Sequence, residues 1–446
     1  MHPGYAFLAA FSLLLTQRAN AKFYLKDKWI ADDFFRGWNW ETEDDPTHGR
    51  VNFVSQAEAI TKNLSYGTFF LHFSLVSLAI CVHLTGTSSV KNDSFVMRAD
   101  NRTIVDDPSA RGRDSVRISS QNAYGDSIVV LDLAHMPAGC ATWPGFRTKS
   151  QQVQSSASGV IDIIEGTLPV SFLSLLAYSY AYSLPVGVNL HEVNQATLHT
   201  ASGCQMPPDS QRLQSGYDPF PHTSSYPESL FSKKKNSYRT TLSTICDTAV
   251  NNNTGCGVSF NKSGPSYGTP FNTKGGGYYV MVRSRMLGIG VYFWPRDISI
   301  DVPAEIHECG SEGGSLYPDP SWGIPAADFP MSPDLCNYDE HFDAHQIIFS
   351  LTFCVSPERL LYLPSAFTRA PLKSSFPQGD WAGNTWPSSG CGNSTCESCK
   401  RPLAYDGQLL RSSTHFSSVV NNNPSAFSEA YWAINSLRVY TPASPY

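Results

Sequence analysis

Charge is scarce in this chain: only 16% of its 446 residues are Asp, Glu, Lys or Arg, and the net charge is −6 with no basic patch. That balance argues against a nucleic-acid partner, which would need clustered Lys and Arg. The Lys233-Lys234-Lys235 triple reads as a solvated loop. Few stretches repeat apolar residues at helical spacing, which excludes a mainly helical fold, and no internal repeat is evident. No apolar run reaches the roughly 20 residues that span a bilayer. Residues 69–84 fall short of that and contain two His, so stable membrane insertion is not expected. Gly275-Gly276-Gly277 lacks the Lys-Ser/Thr of a phosphate loop and precedes aromatic strand residues, which makes it a turn.

Turn formers and aromatics are abundant instead. Aromatic residues make up 12% of the chain, with 32 Gly and 30 Pro, a composition that suits many short strands joined by turns. The length would admit two or three domains, yet all-β sandwiches often exceed about 200 residues as one. At the amino terminus an apolar run from Tyr5 to Leu15 precedes Ala19-Asn20-Ala21, a small-x-small site. Residues 1–21 are therefore expected to be a signal peptide cleaved after Ala21. Sequons at Asn63, Asn92, Asn101, Asn252, Asn261 and Asn393 agree with secretion. So do eleven cysteines, which become disulfide candidates in an oxidising compartment. Cys391, Cys396 and Cys399 offer only three ligands, so disulfides are expected there rather than zinc. Which cysteine pairs with which is not legible from spacing.

The stretch with the most chemistry is Ser158-Gly159-Val160-Ile161-Asp162-Ile163-Ile164-Glu165-Gly166. In a strand, residues i and i+2 share a face, so positions 160 and 162 point one way and Glu165 the other. A β-bulge after Asp162 would re-aim the strand and bring Glu165 round to join them. The stretch resembles the Glu-x-Asp-x-x-Glu motif of glycoside hydrolase family 16, with Val160 at the first position. Further blocks carry the same resemblance, specifically to the fungal laminarinase-type branch. They are Asp45-Pro46-Thr47-His48-Gly49-Arg50, Gly139-Cys140-Ala141-Thr142-Trp143-Pro144, Thr197-Leu198-His199-Thr200, Phe293-Trp294-Pro295-Arg296, Gly379-Asp380-Trp381-Ala382-Gly383 and Val420-Asn421-Asn422-Asn423-Pro424.

The resemblance implies one all-β domain over residues 22–446, a β-sandwich jelly roll of concanavalin A-like type interrupted by poorly structured insertions. It implies an endo-acting, retaining glycosidase for β-1,3- or mixed β-1,3/1,4-glucans. Glu165 would be the general acid/base and Asp162 its electrostatic partner. The nucleophile position is Val160, which cannot attack an anomeric carbon, so impaired hydrolysis is expected, with a non-catalytic glucan-binding or cell-wall protein as the alternative. Trp143, Trp381 and Trp386 are candidate sugar platforms, and His199 is placed to meet a carboxylate or a sugar hydroxyl. His341-Phe342-Asp343-Ala344-His345 matches a turn leading into a strand, so its three potential ligands read as structural. No cofactor and no catalytic metal are expected, and a structural calcium is left open. The expected partner is a β-glucan polysaccharide, the expected assembly a monomer, and the location extracellular or the cell wall.

Segments near 67–90, 167–186, 217–242, 355–378 and 398–418 do not match the family, and they alternate with blocks that do. Cys81 and Cys399 lie in them. Removing them leaves about 300 residues, enough for one large sandwich. Several are read as translated introns that interrupt strands; genuine surface-loop insertions, which cost little closure entropy, are the other reading. The polar run 146–158, with neither Trp nor acid, falls under the same suspicion, and Val160 would then stand at an exon edge.

Overall fold

A computed structural model of the chain describes residues 22–68 apart from His48, 93–151 apart from 108 and 109, 159–166, 193–208, 212, 241–296 apart from 251, 252, 261 and 262, 302–307, 314–353 and 418–443. The strands among them are β1 (Phe23–Trp29), β2 (Trp38–Trp40), β3 (Val51–Phe53), β4 (Ser65–Thr68), β5 (Ser94–Arg98), β6 (Arg113–Ser115), β7 (Arg117–Ser120), β8 (Ser127–His135), β9 (Thr142–Ser150), β10 (Val160–Gly166), β11 (Asn194–His199), β12 (Cys256–Ser259), β13 (Gly277–Ser284), β14 (Gly288–Pro295), β15 (Ser315–Leu316), β16 (Ala327–Phe329), β17 (His345–Phe353) and β18 (Tyr431–Pro442). One large sheet runs β15-β1-β18-β8-β13-β14-β16, with β5 also on β18 and β4 on β5; the second runs β12-β11-β10-β9-β17-β7-β2, and β3 and β6 form a small parallel pair. Helices are short, as the sparse helical periodicity requires. The architecture is the expected antiparallel jelly-roll sandwich.

Period-2 alternation decides what each sheet face meets. Phe146, Ile161, Ile163, Leu198 and Phe349 of the seven-stranded sheet pack against Leu131, Tyr279, Val291, Trp432 and Leu437 of the other. Full burial of each such side chain is worth about 1.5–3 kcal/mol. The nine-stranded sheet is also covered behind, where Ile128, Val130 and Val280 meet Trp294, Trp322 and Ile306. The outer face of the seven-stranded sheet differs. It presents Arg147 and Lys149 from β9, Asp162 and Glu165 from β10, and Gln195, Thr197 and His199 from β11. A polar face on an otherwise apolar sandwich is where a ligand would lie.

The structure corrects three expectations about the foreign segments. Phe146 is 1% exposed in the core, and Phe146, Arg147, Thr148, Lys149 and Ser150 pair residue by residue with β17, so this part of 146–158 belongs to the sheet. Next, Thr68 pairs directly with Ser94, and Gly166 with Asn194. The described strands that flank the first two segments therefore pair with each other, β4 with β5 and β10 with β11. Finally, the edges of the expected segments are part of the fold: Gly67 and Thr68 lie in β4, Thr241 bridges Val258, and Ser418 opens a helix. The rest of the five segments, residues 1–21 with the expected signal peptide, and Trp381 and Trp386 lie outside the described residues.

Two disulfides pin the loops beside β10 and β11: Cys204–Cys336, 132 residues apart in sequence, and Cys246–Cys256, 10 apart. Cys140 is disulfide-bonded as well. Among the described residues no helix is long and apolar enough to cross a membrane.

Candidate active site

Strand β10 carries the bulge that its sequence needs. Its register against β11 shifts between Asp162 and Glu165, and against β9 between Asp162 and Ile164. Ile161, Ile163 and Ile164 are all 0% exposed. A regular strand would turn Ile164 outward after Ile163; the extra residue turns it into the core and so delivers Glu165 to the outer face. Bulging frees backbone groups from the ladder, and these must find partners. The buried Asn194 side chain supplies both: its Oδ1 accepts from Glu165 N at 3.1 Å, and its Nδ2 donates to Ile163 O at 2.7 Å. Asn194 thus holds the turn that aims Glu165, a role with no marker in the sequence.

On the outer face Asp162, Glu165 and His199 each bring one polar atom within 4.8 Å of the others. His199 Nε2 lies 3.5 Å from Asp162 Oδ2, and His199 Nδ1 lies 3.1 Å from Asn253 Oδ1. Burial pushes the His199 imidazole below its usual range, with the nearby Asp162 charge opposing. Burial and then the Asp162 charge push Glu165 up to about 8, while Arg147 and a hydrogen bond from Thr197 pull the other way. At neutral pH this favours the protonated carboxyl. Gln195 Nε2 donates to the Thr197 hydroxyl at 2.7 Å and so positions that hydroxyl. Behind Glu165 sits the fully buried Tyr267, whose phenol is pushed well above its usual range by burial and by the Glu165 charge.

Arg147 is the residue that sequence reasoning missed. It stands opposite Asp162 across β9 and β10, and its Nε lies 3.2 Å from Asp162 Oδ1. Neither atom has a hydrogen-bond partner, so the contact is ionic. Gly145, two residues back on the same face, makes room: a Cβ there would come within 2.4 Å of the Arg147 Nη2. On the far side Asp45 accepts hydrogen bonds from Thr47 N, Gly49 N and the Thr352 hydroxyl, and its charge also acts on Arg147. Strand parity could have found Arg147, since Trp143, Gly145, Arg147 and Lys149 alternate, but only once 146–150 was accepted as a strand.

The other expected residues fall as follows. Val160 lies on the Asp162 face between His199 of β11 and Lys149 of β9. Trp143 is half-buried at the other end of β9, packed against the cluster that holds Leu351 and Phe353. His341 ends a short helix and His345 opens β17, where its Nδ1 lies 3.0 Å from the Thr148 hydroxyl. They form no ligand cluster among the described residues. Asp162, Glu165 and His199 each offer one possible ligand atom within 4.8 Å of the others, and Arg147 Nε stands 3.2 Å from Asp162. A cavity of about 500 Å³ lined by Tyr124, Arg283, Tyr338 and Asp343 shares none of the site residues.

The family model described as "XgeA-like, catalytic GH16 domain" matches residues 38–170 and 186–359. A probable glycosidase of Schizosaccharomyces pombe is 30% identical over 94% of this chain and 70% of its own length. A probable endo-1,3(4)-beta-glucanase of Aspergillus fumigatus is 28% identical over 96% of this chain, which spans only 46% of that relative. Among solved structures, Laminarinase 16A from Phanerochaete chrysosporium, with beta-glucans in both donor and acceptor sites, superposes with a TM-score of 0.61 at 32% identity, covering 94% of this chain and 100% of that one.

Proposed function

Given that this chain belongs to glycoside hydrolase family 16, we propose that it is a secreted, β-glucan-binding member whose hydrolytic step is impaired at the nucleophile. The ligand is a β-1,3- or mixed β-1,3/1,4-glucan lying on the outer face of the seven-stranded sheet. Support comes from the glucan named with the laminarinase and from the fungal endo-1,3(4)-beta-glucanases that resemble this chain. Trp143 would offer an aromatic face to a sugar ring.

The observation that carries the proposal is the pairing of a proton donor with a missing attacker. Retention needs two carboxyls about 5–5.5 Å apart, one to protonate the leaving oxygen and one to attack. Glu165, whose protonated carboxyl is favoured at neutral pH, meets the first need. Val160 holds the second place with two methyl groups. Asp162 does not substitute for it, because its carboxylate is engaged by Arg147 and faces His199. Protonation of the leaving oxygen without an attacking carboxylate leaves the glycosyl cation unstabilised, and the barrier stays high.

The test compares the secreted chain with its Glu165→Gln variant on laminarin and on a mixed-linkage glucan. Affinity electrophoresis should show both proteins retarded by glucan, and reducing-end release should be equally low for both. Release that falls in Glu165→Gln would overturn the impaired site. Absence of retardation would overturn glucan as the ligand.

A further inference from the structure

Lys149 is the unfinished charge on the outer face. It is half-buried on β9, directly opposite Val160 of β10 on one side and Gln346 of β17 on the other. Its ammonium has neither an ion pair nor a hydrogen bond among the described residues. The neighbouring cations are already served. Arg117, 13% exposed, is paired with Glu41, and Arg147, 20% exposed, is paired with Asp162. Burial pushes the Lys149 ammonium below its usual range, then Arg117 and Arg147 push it further, and Glu41 alone opposes. Lys149 thus shares the outer face of β9 with Arg147, two residues away, and among the described residues its ammonium has no counter-ion of its own. Cross-strand partners hold their Cβ atoms about 4.5–5.5 Å apart. An acid at position 160 would be that counter-ion; Val160 is not.

We propose that Lys149, backed by Arg117 and Arg147, forms an anion subsite beside Val160 that takes a carboxylate, supplied by a uronate unit of the bound polysaccharide. The inference rests on the glucan reading of this face and refines it from a neutral to an acidic chain. The ligand's own carboxylate then takes the place of the acid that the strand lacks. Hydrogen bonds to a charged group at a partly desolvated site are worth enough to give about a tenfold gain in affinity.

The test uses isothermal titration of the full chain at low salt with laminarihexaose and with laminarihexaose oxidised at C6 to carry uronate units. The oxidised sugar is expected to bind about tenfold more tightly. That ratio should fall to near one in Lys149→Gln, which removes the charge, and in Val160→Glu, which supplies an internal carboxylate. Thermal melts establish that each variant is folded. Equal affinities in the unaltered chain, or an unchanged ratio in a folded Lys149→Gln, would overturn the subsite. If neither hexasaccharide binds, the glucan reading itself fails, and titration with free glucuronate decides the remainder. Binding that Lys149→Gln abolishes keeps the subsite with a free carboxylate as its source, and no binding removes it.

Discussion

Arg147 Nε and Asp162 Oδ1 lie 3.2 Å apart across two paired strands, and both side chains are largely withdrawn from solvent. This pair sets the electrostatics of the site. Burial raises the Glu165 pKa most, Asp162 raises it further and Arg147 lowers it, so the two residues act on Glu165 in opposite directions.

Removing the guanidinium leaves the Asp162 charge unopposed. In Arg147→Gln the Glu165 carboxyl should titrate above the value of about 8 that it has in the unaltered chain. Carboxyl-carbon NMR titration, with Glu165→Gln to assign the resonance, checks this. A midpoint that falls or stays would show that Arg147 is not coupled to Glu165.

The same shift carries a stability signature. The folded-state pKa of Glu165 is raised from 4.5 to about 8, so between those values the native state binds the extra proton and the unfolded chain does not. The stability this contributes is full below about pH 4.5 and is lost as pH rises through about 8. Denaturant unfolding should therefore show the stability of the unaltered chain falling relative to Glu165→Gln over that window. A pH-independent difference would mean that Glu165 ionises normally.

Val160→Glu places a carboxylate on the Asp162 face, but opposite Lys149. The ammonium will hold part of the new acid in an ion pair, so the single variant should gain turnover on laminarin only in part. Val160→Glu combined with Lys149→Met should gain more, on the order of a hundredfold over the unaltered chain, the scale expected when a missing catalytic group is restored. Reducing-end release for the three proteins checks the order. A folded double variant no faster than the unaltered chain would locate the defect elsewhere.

Asn194→Ala removes both partners of the bulge, leaving Glu165 N and Ile163 O unpaired. Burying such groups without partners should cost about 1–3 kcal/mol of unfolding free energy. It should also displace Glu165, which a change in the Glu165 titration midpoint would report. Asn194→Asp keeps the acceptor for Glu165 N but sets a carboxylate oxygen against Ile163 O at a buried position, so a cost at least as large is expected.

Much of the site was legible before any coordinates. The Asp162-x-x-Glu165 spacing shows that a bulge is needed to bring Glu165 to the Asp162 face, and the structure then shows Ile163 and Ile164 both turned inward. His199 was legible as a neighbour only through the family resemblance of its Thr-Leu-His-Thr block. Arg147 and Lys149 were not, because a polar run without acid or Trp looks like a loop until its alternate members Phe146 and Thr148 are known to be buried.

By itself the sequence determined the all-β class, the face shared by Val160 and Asp162, the need for a bulge to add Glu165, and the absence of a carboxylate at position 160. Those features depend on strand periodicity and residue chemistry, which are local properties of a few neighbouring positions. Only the tertiary structure decided what stands beside them: Arg147 against Asp162, Lys149 against Val160, and Asn194 inside the bulge. Cross-strand partners are chosen by register, which is set by the whole hydrophobic pattern of both sheets and by strands as distant in sequence as β7 and β17. The charge that each acid feels is therefore a property of the assembled sheet.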